Sequence, residues 1–428
     1  MRIFGDDGFR DVYGHKLMRQ SFLNNFFNGL NFFLKEKKID KIYIGYDTRN
    51  SCKKILKIIL KKIVFVKKIY IFKKPITTPC NHFMSKRENS FNIMITASHF
   101  SSKYNGFKFF YKGKKLKRNE EKKIEKNIFT KKKIKNRSPK VYETTNQRYC
   151  NFINNKFKIK INKKILIDYS FGSAASLIKD INFLSKFSNV SCKYNGDNIN
   201  KNCGSNYLKK NLKSKYKNYD YCFAFDGDAD RILFSEKNYG LIESEKIALI
   251  FIKFLKKKIK NPAKKLNIVG TNITNPWLKE NLNKKKFTFY YSKVGDRNVI
   301  NKQIEKNATL AFETSGHFSF FYRMDGLYSL GLFLEILQKD ESLIKEILNK
   351  KIDYNCRIIS LNQNSFKKSK KILKKVNNIK KIKTIFRKSI WSKKKKIYFF
   401  FKKENYDDVK KTILNLVRNN IKIKFEKR

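Results

Sequence analysis

Thr96-Ala97-Ser98-His99-Phe100-Ser101-Ser102-Lys103-Tyr104-Asn105-Gly106-Phe107-Lys108 is the stretch from which the fold can be read. It follows Phe91-Asn92-Ile93-Met94-Ile95, a short apolar run with the composition of a buried strand. Small and polar residues take over at Thr96. Ser98 therefore stands on a loop carried by a rigid sheet, a place where reactive groups are presented. Gly106 permits close backbone approach or a positive φ, and Lys108 brings a positive charge near the serine. Ser98 and His99 side by side also spell a nucleophile and a base. On a strand, neighbours at i and i+1 point to opposite faces, which argues against a direct relay between them. By itself the stretch also fits an ordinary turn from strand to loop.

The stretch resembles the active-site serine loop of the α-D-phosphohexomutases, T/S-A-S-H-N-P-x-x-x-N-G-x-K. Ala97, Ser98, His99, Asn105, Gly106 and Lys108 match in register, and Phe100 and Ser101 replace Asn-Pro. In that family the serine is carried as a phosphoserine. The resemblance thus makes Ser98 the phosphoryl carrier and sets Lys108, Arg10 and His99 with it as catalytic residues.

The 428 residues allow two to four domains and a sizeable core. Lys and Arg number 99 against 35 Asp and Glu, a net charge of +64 that first suggests a nucleic-acid binder. The lysines, however, run from Lys16 to Lys427 instead of forming one stripe, and Pro (5) and Gly (17) are scarce beside abundant Lys, Asn, Ile and Phe. That pattern reads as global compositional drift, so no specific nucleic-acid partner is expected. The seven cysteines are odd in number and contain no C-x-x-C pair, which disfavours a disulfide framework or zinc site and fits a reduced, cytoplasmic setting. No apolar run reaches membrane-spanning length, and Met1–Asp7 lacks the apolar region of a signal peptide.

Upstream, Phe4-Gly5-Asp6-Asp7-Gly8-Phe9-Arg10 is a glycine-punctuated turn ending in an arginine. Phe22–Leu34 has helical apolar spacing. Residues 41–45 alternate like a strand and run into Tyr46-Asp47-Thr48-Arg49-Asn50-Ser51, where Ser51 or Asn50 could cap a helix from Cys52 to about Lys62. Asp47 and Arg49 read as a turn ion pair, worth little if exposed. Both segments are similar to family signatures, F-G-T-D-G-I-R-G and G-x-D-T-R-x-S. The lysine-rich residues 114–146 read as the end of the first domain plus a linker, with a solvated helix at 120–128.

Residues 164–168 are a strand, and the small residues 169–175 turn from it into a helix. The segment 195–204 is loop chemistry. Then Tyr221-Cys222-Phe223-Ala224-Phe225, a buried-strand run, meets Asp226-Gly227-Asp228-Ala229-Asp230-Arg231. Three carboxylates at i, i+2 and i+4 repel one another unless a cation lies between them, and hard oxygens at this density suit Mg²⁺. An EF-hand also begins D-x-D-x-D, but here Arg231 and Lys237 stand where it needs Gly and Glu. D-G-D-A/G-D-R is the family's metal loop. The resemblance makes Asp226, Asp228 and Asp230 ligands, with Ser98 supplying a phosphate oxygen, and Arg231 a substrate contact.

Residues 245–256 are helical, and 266–270 and 308–312 are strands. Lys293-Val294-Gly295-Asp296-Arg297 resembles the K-V-G-D-R loop of the phosphoglucosamine mutase branch, and Glu313-Thr314-Ser315-Gly316-His317 resembles the sugar-binding E-x-S-G-H. Lys293, Asp296, Arg297, Glu313, Ser315 and His317 are thereby implied substrate-binding residues. Asp325-Gly326 caps a helix to about Gln338. In the last stretch, residues 358–361 are strand-like, 384–401 hairpin-like and 406–419 helical. There the family's phosphate-clamping R-K/P-S-G-T-E-P-x-x-R is reduced to Arg387, Lys388 and Ser389, with Lys396 in place of the final arginine. A lysine is a point charge and not a bidentate fork. Arg387, Ser389 and Lys396 are the implied clamp.

The resemblance implies an α/β fold of four domains around a central cleft: three similar mixed-sheet domains at 1–145, 146–244 and 245–350, and a smaller α+β domain at 351–428. It implies transfer of a phosphoryl group between O6 and O1 of a hexosamine, with Mg²⁺ and a hexose 1,6-bisphosphate activator, in a monomer or homodimer. Phosphomannomutase/phosphoglucomutase activity is the alternative, and a decayed mutase acting as a basic binding protein is another.

Overall fold

Phe91–Ile95 is a strand over the span its composition implies, and all five of its residues are buried. This emerges from a computed structural model that describes residues 2–5, 7–130, 132, 134–193, 195–210, 218–261, 263–361, 382–388, 395–402 and 426–427. The chain divides into two compact units, Met1–Ser244 with Ser315–Ile344, and Glu245–Thr314 with Lys345–Arg428.

The first sheet is built from β1 (Phe9–Val12), α1 (Gln20–Glu36), β2 (Lys41–Tyr46), α2 (Ser51–Lys62), β3 (Lys68–Phe72), α3 (Thr78–Arg87), β4 (Phe91–Ile95), β5 (Tyr104–Tyr111), β6 (Lys114–Lys115), α4 (Arg118–Asn127) and β7 (Lys140–Thr144). Its strand order is β1-β5-β4-β2-β3-β7, with β6 on β5. The pairs β4–β2, β2–β3 and β3–β7 are parallel, and β5 runs antiparallel to both β4 and β1. Phe22, Leu23, Phe26, Phe27, Leu30, Phe33 and Leu34 repeat at helical spacing and are buried as one face of α1. Each such side chain contributes roughly 1.5–3 kcal/mol on burial. Strand alternation sends Phe107 and Phe109 to that helix, where Phe107 lies 5.3 Å from Phe27 and Phe109 lies 5.7 Å from Phe26 between ring centroids. The same alternation turns Lys108 to the other face of β5.

Three local readings are corrected here. Residues 114–146 are no linker: α4 buries Glu121 and Ile124, Glu125 accepts from the Ile3 and Phe4 amides at 2.8 and 3.2 Å, and β7 completes the sheet edge. Asn50 occupies the position before α2, but its side chain makes no capping bond. The turn after residue 168 leads only to a short 3₁₀ segment, Ser173–Leu177.

The second sheet follows from α5 (Gln147–Lys156), β8 (Ile165–Asp168), β9 (Ser188–Val190), α6 (Gly204–Leu208), β10 (Tyr221–Phe225), β11 (Ile232–Glu236) and β12 (Gly240–Ile242), in the order β12-β11-β10-β8-β9. In the second unit, α7 (Ser244–Lys257), β13 (Leu266–Thr271), α8 (Pro276–Glu280), β14 (Phe287–Ser292), α9 (Asp296–Glu305) and β15 (Leu310–Glu313) form a layer in which β13 pairs in parallel with both β14 and β15. The chain re-enters the first unit with β16 (His317–Phe320), β17 (Arg323–Met324) and α10 (Gly326–Lys339). Asp325 caps α10 by accepting from the Tyr328 amide at 3.0 Å. After α11 (Glu341–Asn349), β18 (Tyr354–Leu361), β19 (Ile382–Lys388), β20 (Lys395–Lys402) and β21 (Glu426–Lys427) make a sheet in the order β19-β20-β18-β21, whose described pairs are antiparallel. The helix expected at 406–419 lies outside the described residues.

Candidate active site

β4 ends at Ile95, and three residues later Ser98 takes a left-handed backbone with φ 53°. A left-handed non-glycine residue is strained and persists only where its surroundings hold it. This turn cancels the strand alternation. Ser98 and His99 do not point to opposite faces: Ser98 Oγ lies 3.4 Å from His99 Nδ1, a long contact. The stronger bond from Ser98 Oγ is donated to Asp226 Oδ2 at 2.7 Å. Burial pushes the His99 imidazole far below its ordinary pKa, and the charges of Arg231 and Arg10 push the same way, so it stays neutral. Arg10, opposite Gly106 in the sheet register, reaches the Ala97 carbonyl at 3.5 Å and holds its guanidinium 5.0 Å from the centre of the Phe100 ring.

The carboxylates leave β10, whose five residues are all buried. Asp226, Asp228 and Asp230 are themselves buried, and each offers an oxygen within 4.8 Å of the others. Gly227 makes this approach possible: a Cβ there would stand 2.8 Å from the Ser98 carbonyl oxygen. Ala229, at φ 56°, bends the loop back so that its amide reaches the Asp226 carbonyl at 3.0 Å.

Charge sorts the three carboxylates. Lys108 Nζ bonds Asp230 Oδ2, lies 2.9 Å from Asp228 Oδ2 and 3.0 Å from Asp7 Oδ2. Burial alone would raise Asp230, but Lys108, His317 and Arg231 outweigh it and hold the carboxyl well below the usual range. Asp226 is pushed up to about 7 by burial and by its two acidic neighbours. Asp228 takes a 2.5 Å bond from Thr78 Oγ1, yet its buried Oδ1 has no hydrogen-bond partner. A buried carboxylate oxygen without a donor, facing two more carboxylates, is the environment a hard cation satisfies. The residues fit Mg²⁺.

His317 closes this side. Its Nε2 lies 3.2 Å from Asp230 Oδ1 and accepts from Arg231 Nε at 3.0 Å, while Ser315 Oγ is 3.0 Å from its Nδ1. Ser98, His99, Arg10, Lys108, the three aspartates, Arg231, Ser315 and His317 are thus joined within the first unit. In the second unit, Glu313 at the end of β15 accepts from the Gly295 amide at 2.8 Å, and α9 starts at Asp296 with Arg297 next to it; Lys293 is exposed. Arg387 and Lys396 are opposite residues of β19 and β20. Ser389 lies outside the described residues.

Sequence reasoning missed one group and undervalued two. Asp7, which takes bonds from both Lys108 and Lys115, was legible only as part of a turn. Asp47 and Arg49 are no exposed pair: both are buried, and Arg49 extends to the Ser98 and Phe100 carbonyls at 3.1 and 2.6 Å.

Residues 1–135 match the family model described as phosphoglucomutase/phosphomannomutase, alpha/beta/alpha domain I, and residues 243–354 match domain III of the same family. A phosphoglucosamine mutase of Dictyoglomus thermophilum is 30% identical, over 91% of this chain and 89% of that protein. A phosphoglucomutase/phosphomannomutase family protein of Burkholderia thailandensis superposes with a TM-score of 0.83 at 18% identity, covering 98% of both chains. An Aspergillus fumigatus N-acetylphosphoglucosamine mutase, solved in complex with GlcNAc-6P and magnesium, gives a TM-score of 0.64 at 14% identity over 94% of this chain and 97% of that one.

Proposed function

The chain belongs to the α-D-phosphohexomutase superfamily, and from that premise we propose that it interconverts glucosamine 6-phosphate and glucosamine 1-phosphate through a phosphoserine at Ser98. Membership makes it an isomerase acting on phosphosugars. The hexosamine is favoured over glucose or mannose by the K-V-G-D-R loop at 293–297 and by the phosphoglucosamine mutases among its relatives.

The observation that carries the reading is Ser98 Oγ, buried and 2.7 Å from Asp226 Oδ2 at the edge of the carboxylate triad. In the forward half-reaction the Oγ–P bond breaks as a sugar oxygen takes the phosphoryl group, and that hydroxyl's proton ends on Ser98 Oγ. Asp226 is the acceptor beside that proton. The resulting bisphosphate turns over, and Ser98 recovers the other phosphoryl group. Asp226, Asp228 and Asp230 would hold Mg²⁺. When bound, the ion offsets negative charge on the transferred group. Lys108 and Arg10 supply fixed positive charge near Ser98, and neutral His99 borders the serine oxygen. Arg231, Ser315 and His317, together with Lys293, Asp296, Arg297 and Glu313, would bind the sugar. Arg387, Ser389 and Lys396 would hold the resting phosphate.

We assign the four domains to 1–145, 146–244, 245–350 and 351–428, with a free hexose 1,6-bisphosphate as activator and a monomer or homodimer as the assembly. No helix among the described residues is long and apolar enough to cross a membrane.

The test is intact mass before and after phosphatase. The purified protein should lose one phosphoryl group, and Ser98→Ala should show neither the mass shift nor turnover. A coupled assay across glucosamine, glucose and mannose 6-phosphates then reads the substrate. A fully active Ser98→Ala would remove the mechanism, and equal rates on all three sugars would remove the hexosamine assignment.

A further inference from the structure

Two side chains outside the catalytic set converge on the same pair of carbonyls. Arg49, on the loop after β2, donates from one nitrogen, Nη2, to Ser98 O at 3.1 Å and Phe100 O at 2.6 Å. Asn200, on a loop of the second sheet, donates from Nδ2 to the same two oxygens, each at 2.8 Å. Each carbonyl thereby has both lone pairs engaged.

Both donors are anchored behind. Asp47 bonds the Arg49 guanidinium, takes 2.6 Å from Thr96 Oγ1, and Thr96 Oγ1 in turn accepts from the Ser98 amide at 2.9 Å. Asn200 Oδ1 accepts from Ser170 Oγ at 2.7 Å, and its amide donates to Ser170 O at 3.0 Å. Ser170 N bonds Asp168 Oδ1 at 2.8 Å, at the end of β8. Asn200 itself sits at φ 59°, a conformation asparagine tolerates better than most residues. The clamped residue is Ser98, the strained one.

On the reading that Ser98 carries the phosphoryl group, we propose that Arg49 and Asn200 are positioning residues: a two-sided clamp that holds Ser98 at its left-handed φ so that Oγ faces the carboxylate loop. Neither contacts Oγ, so neither is catalytic. Their joint effect is to bind the serine backbone to both sheets, where the peptide planes at Ser98 and Phe100 cannot rotate without breaking hydrogen bonds on each side. Arg49 is matched in charge by Asp47, and both side chains are fully buried.

Asn200→Asp is nearly isosteric and keeps the acceptor toward Ser170, but it puts an oxygen where Nδ2 donated. Asn200→Gly removes the side chain without penalising the positive φ. Thr48→Val is the control. It deletes a 2.6 Å bond from Thr48 Oγ1 to Phe171 O in the same neighbourhood and touches neither clamped carbonyl. Both Asn200 variants should lower kcat by roughly tenfold or more with KM within about twofold, because displacement of a reacting group costs rate steeply. Thr48→Val should lower Tm to a similar degree and leave kcat within about twofold. Phosphoserine content is read by intact mass in every variant.

If either Asn200 variant keeps the kcat of Thr48→Val, or loses affinity in place of rate, the clamp is only a structural tie and the proposal falls. If the wild type carries no phosphate on Ser98, the functional reading fails instead, and the two failures are distinct. Rescue of kcat by Asn200→Gln, which restores an amide donor on a longer arm, would support the clamp further; its failure while Asn200→Gly is fully active would overturn it.

Discussion

The serine loop and the carboxylate loop leave wholly buried strands, β4 and β10, and each contains a left-handed non-glycine residue, Ser98 at φ 53° and Ala229 at φ 56°. They are held by opposite means. The serine loop is fixed by donors on its backbone carbonyls, from Arg49 and Asn200. The carboxylate loop is fixed by charge, from Lys108 and Arg231. The difference teaches a division of labour. One loop stores a geometry, and the other stores a field of opposed buried charges.

The largest effect should therefore come from charge. Asp228→Asn preserves shape and removes one of three carboxylates. Its kcat/KM should fall by about 100-fold or more, and the Mg²⁺ concentration for half-maximal activity should rise. EDTA should silence the wild type, with activity restored by Mg²⁺. An Asp228→Asn enzyme with an unchanged Mg²⁺ titration would show that the carboxylate loop is also only a shape.

Acid does not separate the loops, because the scaffold carries its own acid-labile group. His82 is buried, stacks on Phe110 with ring centroids 4.4 Å apart, and bonds the Gly113 carbonyl at 2.9 Å. Burial lowers its pKa to about 3, and nearby Arg323 and Lys115 add to this against the Gly113 bond. The folded value lies below the ordinary 6.5, so the unfolded chain takes up the proton first. Stability is intact above about pH 6.5 and falls as the pH drops toward 3, by up to about 1.4 kcal/mol per pH unit. The Tm advantage of the wild type over His82→Gln should thus shrink across that window. A constant difference would mean that His82 is charged in the fold, and that acid loss belongs to the carboxylates.

The smallest effect isolates backbone strain. Ala229→Gly should stabilise the protein by less than about 1 kcal/mol, since relief of the left-handed cost is partly offset by glycine's unfolded-state entropy. Ser98→Gly would relieve the same strain and remove the chemistry. Equal and opposite signs in urea denaturation would refute the view that the two turns are alike.

Much of this was legible in the chain. Phe91–Ile95 and Tyr221–Phe225 are strands over the spans their apolar runs imply, and the spacing of Asp226, Asp228 and Asp230 marked the loop where three carboxylates do converge. The failures were of two physical kinds. A left-handed φ at a serine has no sequence signature, so the closeness of Ser98 and His99 could not be read from alternation. Long-range partners were equally silent: Asn200 is 102 residues from Ser98, and nothing in its own neighbourhood names the carbonyls it serves. Asp47 and Arg49 were noticed, but exposure decides what such a pair is worth, and burial is a property of the whole fold.

His317 is 87 residues downstream of Asp230, and Glu245–Thr314 belongs to the other unit. That spacing has a consequence in time. At a synthesis rate of roughly 5–20 residues per second, the acidic loop waits about 4–17 s for its imidazole to be made. The first unit cannot finish during that interval, because β16, β17 and α10 are still missing. Catalytic competence is then a late event in the life of each molecule. In refolding from urea, recovery of enzymatic activity should trail recovery of far-ultraviolet circular dichroism, and simultaneous recovery would show that closing this long loop is not the slow step.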